Sequence, residues 1–196
     1  MGETLRKLIK ERNLRINPLF NFLSSYLSTE KIIMLQTINE DNLIDEEMFC
    51  SFFLCNIKFY NLMANANGFV NYWECMIIIY LLKTDIYKTK VKNILKLFIF
   101  DESESLTTQD NFYFMVETFI NSIKKLFSLE NEDFEEKEFK KELDKEIESY
   151  YLSIFKSLEI KDCKISIMEN FLENDDSLYN LLYLITQQAE DIMTLN

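Results

Sequence analysis

Oxygen-bearing side chains recur at short intervals in the stretch that begins at Met63. Asn65 and Asn67 lie two residues apart. Asn71 follows four residues later, and Glu74 closes the stretch. Calcium takes oxygen ligands in proteins, and its affinity for a loop depends on the number of charged ligands. Because Glu74 is the one carboxylate and Met63 offers no side-chain oxygen, we expect calcium to bind here weakly or not at all.

A second stretch follows the same layout but is shorter. Asp101, Ser103 and Ser105 carry oxygen at its first, third and fifth positions. Leu106 then comes two residues early, and Asp110 takes the closing position with a shorter reach than Glu. Since a shortened loop cannot wrap the usual set of oxygens around calcium, this stretch also predicts a vestigial site.

A third stretch, from Leu158 to Glu169, keeps the layout without the ligands. Ile160, like Leu158, stands where a ligand would be, and Lys164 adds a positive charge. Ile165 keeps the apolar position that comes eighth. We expect no calcium in this stretch. For the whole chain we expect no cofactor, and weak calcium binding at the first or second stretch is the alternative.

Helices are predicted on both sides of each stretch, because apolar residues recur there every three or four positions. Asp45, Thr107 and Ser166 are predicted to cap helices, since such side chains accept hydrogen bonds from the first turn. The predicted helices span residues 3–12, 19–27, 45–62, 71–83, 85–99 and 177–193, and three more begin at Thr107, near residue 128 and at Ser166. No strand is convincing.

Two of these helices have faces that constrain their positions. The helix 71–83 is apolar nearly all round, so we expect it to be buried or to lie at an interface. In the helix 85–99 the lysines are predicted to form the solvated face. These lysines are Lys88, Lys90, Lys92 and Lys96.

The composition narrows the fold and the partners. Only 2 glycines and 1 proline interrupt 196 residues, which favours long helices over a fold with many tight turns. The net charge of −12 repels phosphate backbones and anionic lipid, so we expect neither nucleic acid nor membrane as partners. The absence of histidine excludes zinc and catalytic sites that depend on it.

The chain is predicted to form two helical lobes, residues 1–84 and residues 85–196, with an acidic insertion around residues 128–145 in the second. The charged first ten residues do not read as a signal peptide, and no apolar run is long enough to span a membrane. We therefore expect a cytoplasmic protein.

The layout of the three stretches is that of the EF-hand, in which helices flank a twelve-residue loop with Gly at the sixth position and Glu at the twelfth. The chain resembles EF-hand proteins of the neuronal-calcium-sensor-like group, and within that group the calaxin-like subunits of outer dynein arm docking complexes. The resemblance is carried by Asn67–Glu74, by the spacing from there to Phe98–Asp101, by the acidic insertion, and by the exit helix from Phe171 to Leu182.

This resemblance implies an all-α fold of paired EF-hand-like helix–loop–helix units in two lobes. It also implies a microtubule-associated protein of the cilium or flagellum, docked in the axoneme beside coiled-coil partners. In this family the apolar residue at the eighth position of each loop pairs with its partner loop in a short two-stranded link.

The leading functional prediction is a non-catalytic adaptor that binds an amphipathic helix or a coiled coil, such as a docking-complex or motor subunit. The alternative is a calcium sensor, or a myosin or dynein light-chain-like regulator, that keeps one weak calcium site. An enzyme is not expected, because the sequence offers neither histidine nor a glycine-rich phosphate loop.

Overall fold

The computed structural model describes residues 2–20, 43–53, 57–83, 85–98, 106–128, 136–154 and 162–194. Within them it contains nine helices and four short strands, so the predicted helical character is confirmed. The elements are α1 (Gly2–Glu11), β1 (Leu43–Ile44), α2 (Glu46–Phe53), α3 (Ile57–Met63), β2 (Val70–Asn71), α4 (Tyr72–Leu82), α5 (Tyr87–Leu97), β3 (Leu106–Thr108), α6 (Gln109–Leu126), α7 (Glu136–Ile154), β4 (Asp162–Lys164), α8 (Ile165–Glu173) and α9 (Asp176–Thr194).

Helix α4 lies at the centre of the core. Its residues are apolar on every side, and nearly all of them are buried. It packs against α5, α6 and α9. The prediction of a buried helix at residues 71–83 is therefore confirmed, because a helix without a polar face can only be stable when neighbours surround it.

The four strands form two antiparallel pairs. In β1–β2, Ile44 lies opposite Val70. In β3–β4, Leu106 lies opposite Lys164 and Thr108 opposite Asp162. The expectation that the chain has no convincing strand was wrong, because strands of two or three residues are too short to show the alternation by which strands are recognised.

Two of the three predicted helix caps are displaced by these strand pairs. Asp45 caps α2 as predicted, and its Oδ1 accepts the N–H of Met48 at 2.8 Å. Thr107, however, belongs to β3, and the cap of α6 is Thr108, whose Oγ1 accepts the N–H of Asn111 at 3.2 Å. Ser166 is also not a cap, since α8 begins one residue earlier. The pairing fixes where each strand ends, and the helix starts there.

The first and last helices pack against each other. Helix α1 lies on α9 and also contacts α7, where the N–H of Thr4 donates to Glu146 Oε1 at 3.2 Å. Beyond α1, Gln188 on α9 accepts the N–H of Ile16 at 3.0 Å and donates to the carbonyl of Leu14 at 3.1 Å. The N-terminal segment is thus fastened to the C-terminal helix by backbone and side-chain hydrogen bonds.

Several predicted helices fall partly outside the described residues. Of the predicted helix 45–62 the structure describes α2 and α3, and residues 54–56 lie outside. Of the predicted segments 19–27 and 128–157, and of the acidic insertion, parts lie outside as well. The division into lobes at residue 84 stays a prediction. Among the described residues, the helices are all too short or too polar to cross a membrane.

Candidate functional site

The loop between α3 and β2 is a tight turn closed by its own backbone. The N–H of Asn65 donates to the carbonyl of Phe69 at 2.8 Å, and the N–H of Gly68 donates to the carbonyl of Asn65 at 3.0 Å. Gly68 has φ of +76°, in the left-handed region that glycine adopts without strain. Tyr60 adds a hydrogen bond from its hydroxyl to the carbonyl of Gly68. The glycine thus stands where the chain must turn sharply.

Two of the predicted ligand oxygens of this loop are engaged by the chain itself. Asn65 Oδ1 accepts the N–H groups of Asn67 at 3.0 Å and Phe69 at 3.1 Å. Asn71 Oδ1 accepts those of Trp73 at 2.9 Å and Glu74 at 3.3 Å, and so caps α4. These amide oxygens serve the turn and the helix start, which is a structural use of the layout.

Glu74, the closing carboxylate of the loop, faces a lysine. Lys125 Nζ on α6 lies 2.7 Å from Glu74 Oε2, and its residue is only 4% exposed. The same ammonium donates a hydrogen bond to the carbonyl of Met63. A side-chain cation therefore joins the first and last residues of the predicted calcium loop.

Lys125 is the last residue of a polar stripe on the side of α6 that faces the loop. Thr118, Ser122 and Lys125 recur every three or four residues, and all three are buried. Ser122 Oγ donates to the carbonyl of Thr118 at 2.8 Å, and the carbonyl of Glu74 lies 3.3 Å from the same oxygen. The stripe lies along the first turn of α4, where buried polar groups need hydrogen-bond partners.

The structure brings only the first predicted stretch into a described site. Asn65, Asn67, Asn71 and Glu74 lie in one loop and helix start, whereas Asp101, Ser103 and Ser105 lie outside the described residues, as do Leu158 and Ile160. Asp110 is exposed in the first turn of α6, and Ile165 begins α8. Across the part of the chain that the structure describes, no three acidic or cysteine side chains are grouped to hold a metal.

A second buried lysine corrects the predicted lysine face of α5. Lys90 is 1% exposed, and its Nζ donates to the carbonyl of Leu81 at 2.8 Å and to Thr186 Oγ1 at 2.6 Å. Burial lowers the pKa of Lys90 to about 8, although Asp85 and Glu190 oppose the shift. This lysine joins the end of α4 to α9, whereas Lys88, Lys92 and Lys96 are exposed as predicted.

One small apolar pocket lies between the described helices. A void of about 30 Å³ lies among α5, α6, α7, α8 and α9, and Phe119, Ile147 and Leu182 are among its lining residues. Its walls are apolar, and a void of this size holds about one water molecule, which would find no polar partner there. The apolar face of α9 fills this region, so it is core.

Sequence reasoning missed the two lysines for different reasons. Lys90 stands three residues after Tyr87 and four before Ile94, so its place on the apolar stripe could have been read from spacing. Lys125 meets Glu74 across 51 positions of sequence, and only the packing of α6 on α4 brings them together. The sequence feature that indicates Lys125 is weak, since it is only a stripe of small polar residues that ends in a lysine.

Comparisons of this chain with protein-family models, with curated proteins and with solved structures found no match.

Proposed function

We propose that this chain is a degenerate EF-hand adaptor, a non-catalytic subunit that binds helical or coiled-coil protein partners without needing calcium. The observation that carries the proposal is the ion pair between Lys125 Nζ and Glu74 Oε2 at 2.7 Å. In a working loop the closing carboxylate would hold the ion. Here the chain supplies its own cation to that carboxylate.

The strand pairs support the EF-hand part of the proposal. Val70, at the eighth position of the loop, lies opposite Ile44, and a second antiparallel pair joins residues 106–108 to residues 162–164. In this second pair Leu106 lies opposite Lys164, whereas Ile165, the expected eighth position, already belongs to α8. Each pair links a segment just before one helix to a segment just before another. Two helix–loop–helix units joined through their loops would produce this arrangement.

The charge of the chain supports a basic partner. With a net charge of −12, the surface favours association with a positively charged helix and repels acidic ones. The setting in a ciliary axoneme, beside docking-complex or motor subunits, is the part of the proposal that rests on the resemblance of the sequence.

Thermal unfolding in EGTA and in millimolar calcium tests the calcium part. A ligand that binds only the folded chain raises the midpoint, so we expect equal midpoints, with magnesium at equal ionic strength as the control for screening. A rise of several degrees specific to calcium would overturn the proposal and support a weak calcium sensor or a light-chain-like regulator.

Binding of a basic amphipathic helical peptide tests the adaptor part. We expect it to raise the midpoint equally in EGTA and in calcium, whereas an acidic peptide of matched length and apolar face leaves the midpoint unchanged. Stabilisation that requires calcium, or that is the same for both peptides, would contradict a calcium-free adaptor for basic helices.

A further inference from the structure

An open pocket lies on the surface between α6 and α7. It has a volume of about 360 Å³ and is lined by Tyr113, Asp144, Ile147, Glu148, Tyr151 and Leu152. Its lining combines two aromatic rings, two carboxylates and two aliphatic side chains. The pocket is separate from the loop of Glu74, and the proposed calcium-free state of that loop does not involve it.

The two rings stack against each other. The centroids of Tyr113 and Tyr151 lie 5.6 Å apart, and the ring planes are inclined by 30°. Tyr113 is 41% exposed, so part of its ring is open to solvent. Partial burial, with smaller contributions from Tyr151 and Glu148, raises the pKa of Tyr113, so the ring is a neutral phenol at neutral pH.

The two carboxylates lie on the same side of α7. Asp144 and Glu148 are four residues apart, which places them on one face of the helix, and both are exposed. Within the described residues, neither of them forms an ion pair with a lysine or arginine. The pocket therefore holds two carboxylates that are not in ion-pair contact with a described lysine or arginine.

We propose that this pocket receives the arginine side chain of a basic partner protein. A guanidinium stacks on aromatic faces and pairs with carboxylates through a planar fork of N–H donors. Tyr113 offers an exposed ring face, supported from behind by the stacked ring of Tyr151. Asp144 and Glu148 offer the carboxylates, and Ile147 a surface for the aliphatic stem. The proposal rests on the proposed adaptor function and names the group by which a basic partner is recognised.

Nuclear magnetic resonance titration of the full chain tests the pocket with a defined probe. The probe is acetyl-arginine methylamide, and its uncharged control is acetyl-citrulline methylamide, which has nearly the same shape. Ring signals are assigned with Tyr113→Phe and Tyr151→Phe. We expect the arginine probe to shift the signals of both rings at millimolar concentration, the corresponding lysine probe to bind more weakly, and citrulline to leave them unchanged. Equal shifts with citrulline would overturn the proposal, and lysine equal to arginine would overturn the choice of arginine.

Matched variants separate the pocket from the net charge. Replacing Asp144 and Glu148 together by Asn and Gln should weaken arginine binding about fivefold or more, since each exposed charge contributes a modest amount. The double variant Glu11→Gln, Glu47→Gln removes the same charge from exposed sites on α1 and α2 and should bind as the wild type. Equal losses in both double variants would show attraction to net charge alone and overturn the pocket.

Substitutions of one ring test the aromatic face. Tyr113→Leu should weaken binding of the arginine probe about threefold, whereas Tyr113→Phe keeps the face and should bind as the wild type. Loss of binding in both variants would contradict the stacking. These titrations are run in EGTA, so a failure of arginine binding overturns the pocket, whereas the proposed function is tested separately by the unfolding midpoints with calcium and with the basic and acidic helical peptides.

Discussion

Lys125 and Glu74 carry opposite charges where solvent scarcely reaches. Removing one member of a buried pair leaves the other charge without compensation, which destabilises a protein by about 3–5 kcal/mol. We therefore expect Lys125→Met to lower the free energy of unfolding by that amount in urea denaturation. The double variant Lys125→Met, Glu74→Gln should recover a large part of the loss, because no buried charge remains.

The neighbouring lysine on α6 supplies the control for this prediction. Lys124 is half-buried, and Lys124→Met should change the free energy of unfolding by less than about 1 kcal/mol. Similar losses for Lys124→Met and Lys125→Met would mean that the ion pair with Glu74 does not hold α4 to α6.

Because of Lys90, the free energy of unfolding is expected to change with pH in the alkaline range. Its pKa in the folded chain is about 8, against 10.5 ordinarily, so the unfolded chain binds more protons between these values. Stability should therefore rise from pH 8 towards pH 10, by roughly 2 kcal/mol at about 1.4 kcal/mol per pKa unit. Burial also raises the pKa of Tyr87 and of Tyr150 in the folded chain. Above about pH 10, the ordinary pKa of tyrosine, the unfolded chain therefore loses these phenol protons first, and the stability of the fold decreases.

Denaturation in urea at a series of pH values measures this rise. In Lys90→Met the rise between pH 8 and 10 should disappear, whereas Lys96→Met, which changes an exposed lysine of the same helix, should keep it. A pH profile unchanged by Lys90→Met would show that another group causes the rise.

At the scale of elements, α4 depends on its first turn. Asn71 Oδ1 satisfies two backbone N–H groups that no helix carbonyl can reach. Asn71→Ala should therefore lower the free energy of unfolding by about 1 kcal/mol in urea denaturation. Asn67→Ala removes an exposed amide of the same loop and should have little effect. If both variants lowered the free energy of unfolding equally, the effect would come from the loop as a whole and not from the cap of α4.

The helices could be predicted from sequence better than their ends. Local spacing of apolar residues shows the stripes of α6 and α9 and the apolar circumference of α4. These helices can therefore be predicted from the sequence. The first residues of α6 and α8 are set by the pairing of residues 106–108 with residues 162–164. That pairing joins segments more than 50 residues apart. The local apolar periodicity, from which the helices are predicted, contains no information about this pairing.

In the candidate site, too, one part could be predicted from the sequence and another part depends on how the helices pack. The order of Asn65, Gly68, Asn71 and Glu74 was visible in the sequence, and the structure gives each a place in one loop and helix start. The cation that meets Glu74 comes from α6, and its identity depends on how two helices pack. A motif can therefore indicate where a metal loop lies and still leave open what balances its charge.

At the scale of the whole molecule, α1 and α9 approach closely at Gly2. A Cβ added there would lie 2.4 Å from the backbone carbonyl of Ser177, closer than packing allows. Gly2→Ala should therefore loosen α1 from α9 and speed amide hydrogen exchange in residues 2–11, while α4 stays protected. Lys7→Ala, at an exposed position of α1, is the control. Unchanged exchange in Gly2→Ala would mean that α1 can shift without losing its contacts.

The contact between α1 and α9 also orders events during synthesis. More than 160 residues separate the two helices in sequence, and a chain leaves the ribosome from its N-terminus at roughly 5–20 residues per second. Helix α1, in which Leu5 and Ile9 are buried in the finished protein, cannot pack against α9 until α9 has been synthesised. For some seconds of synthesis α1 therefore exists without its contacts to α9.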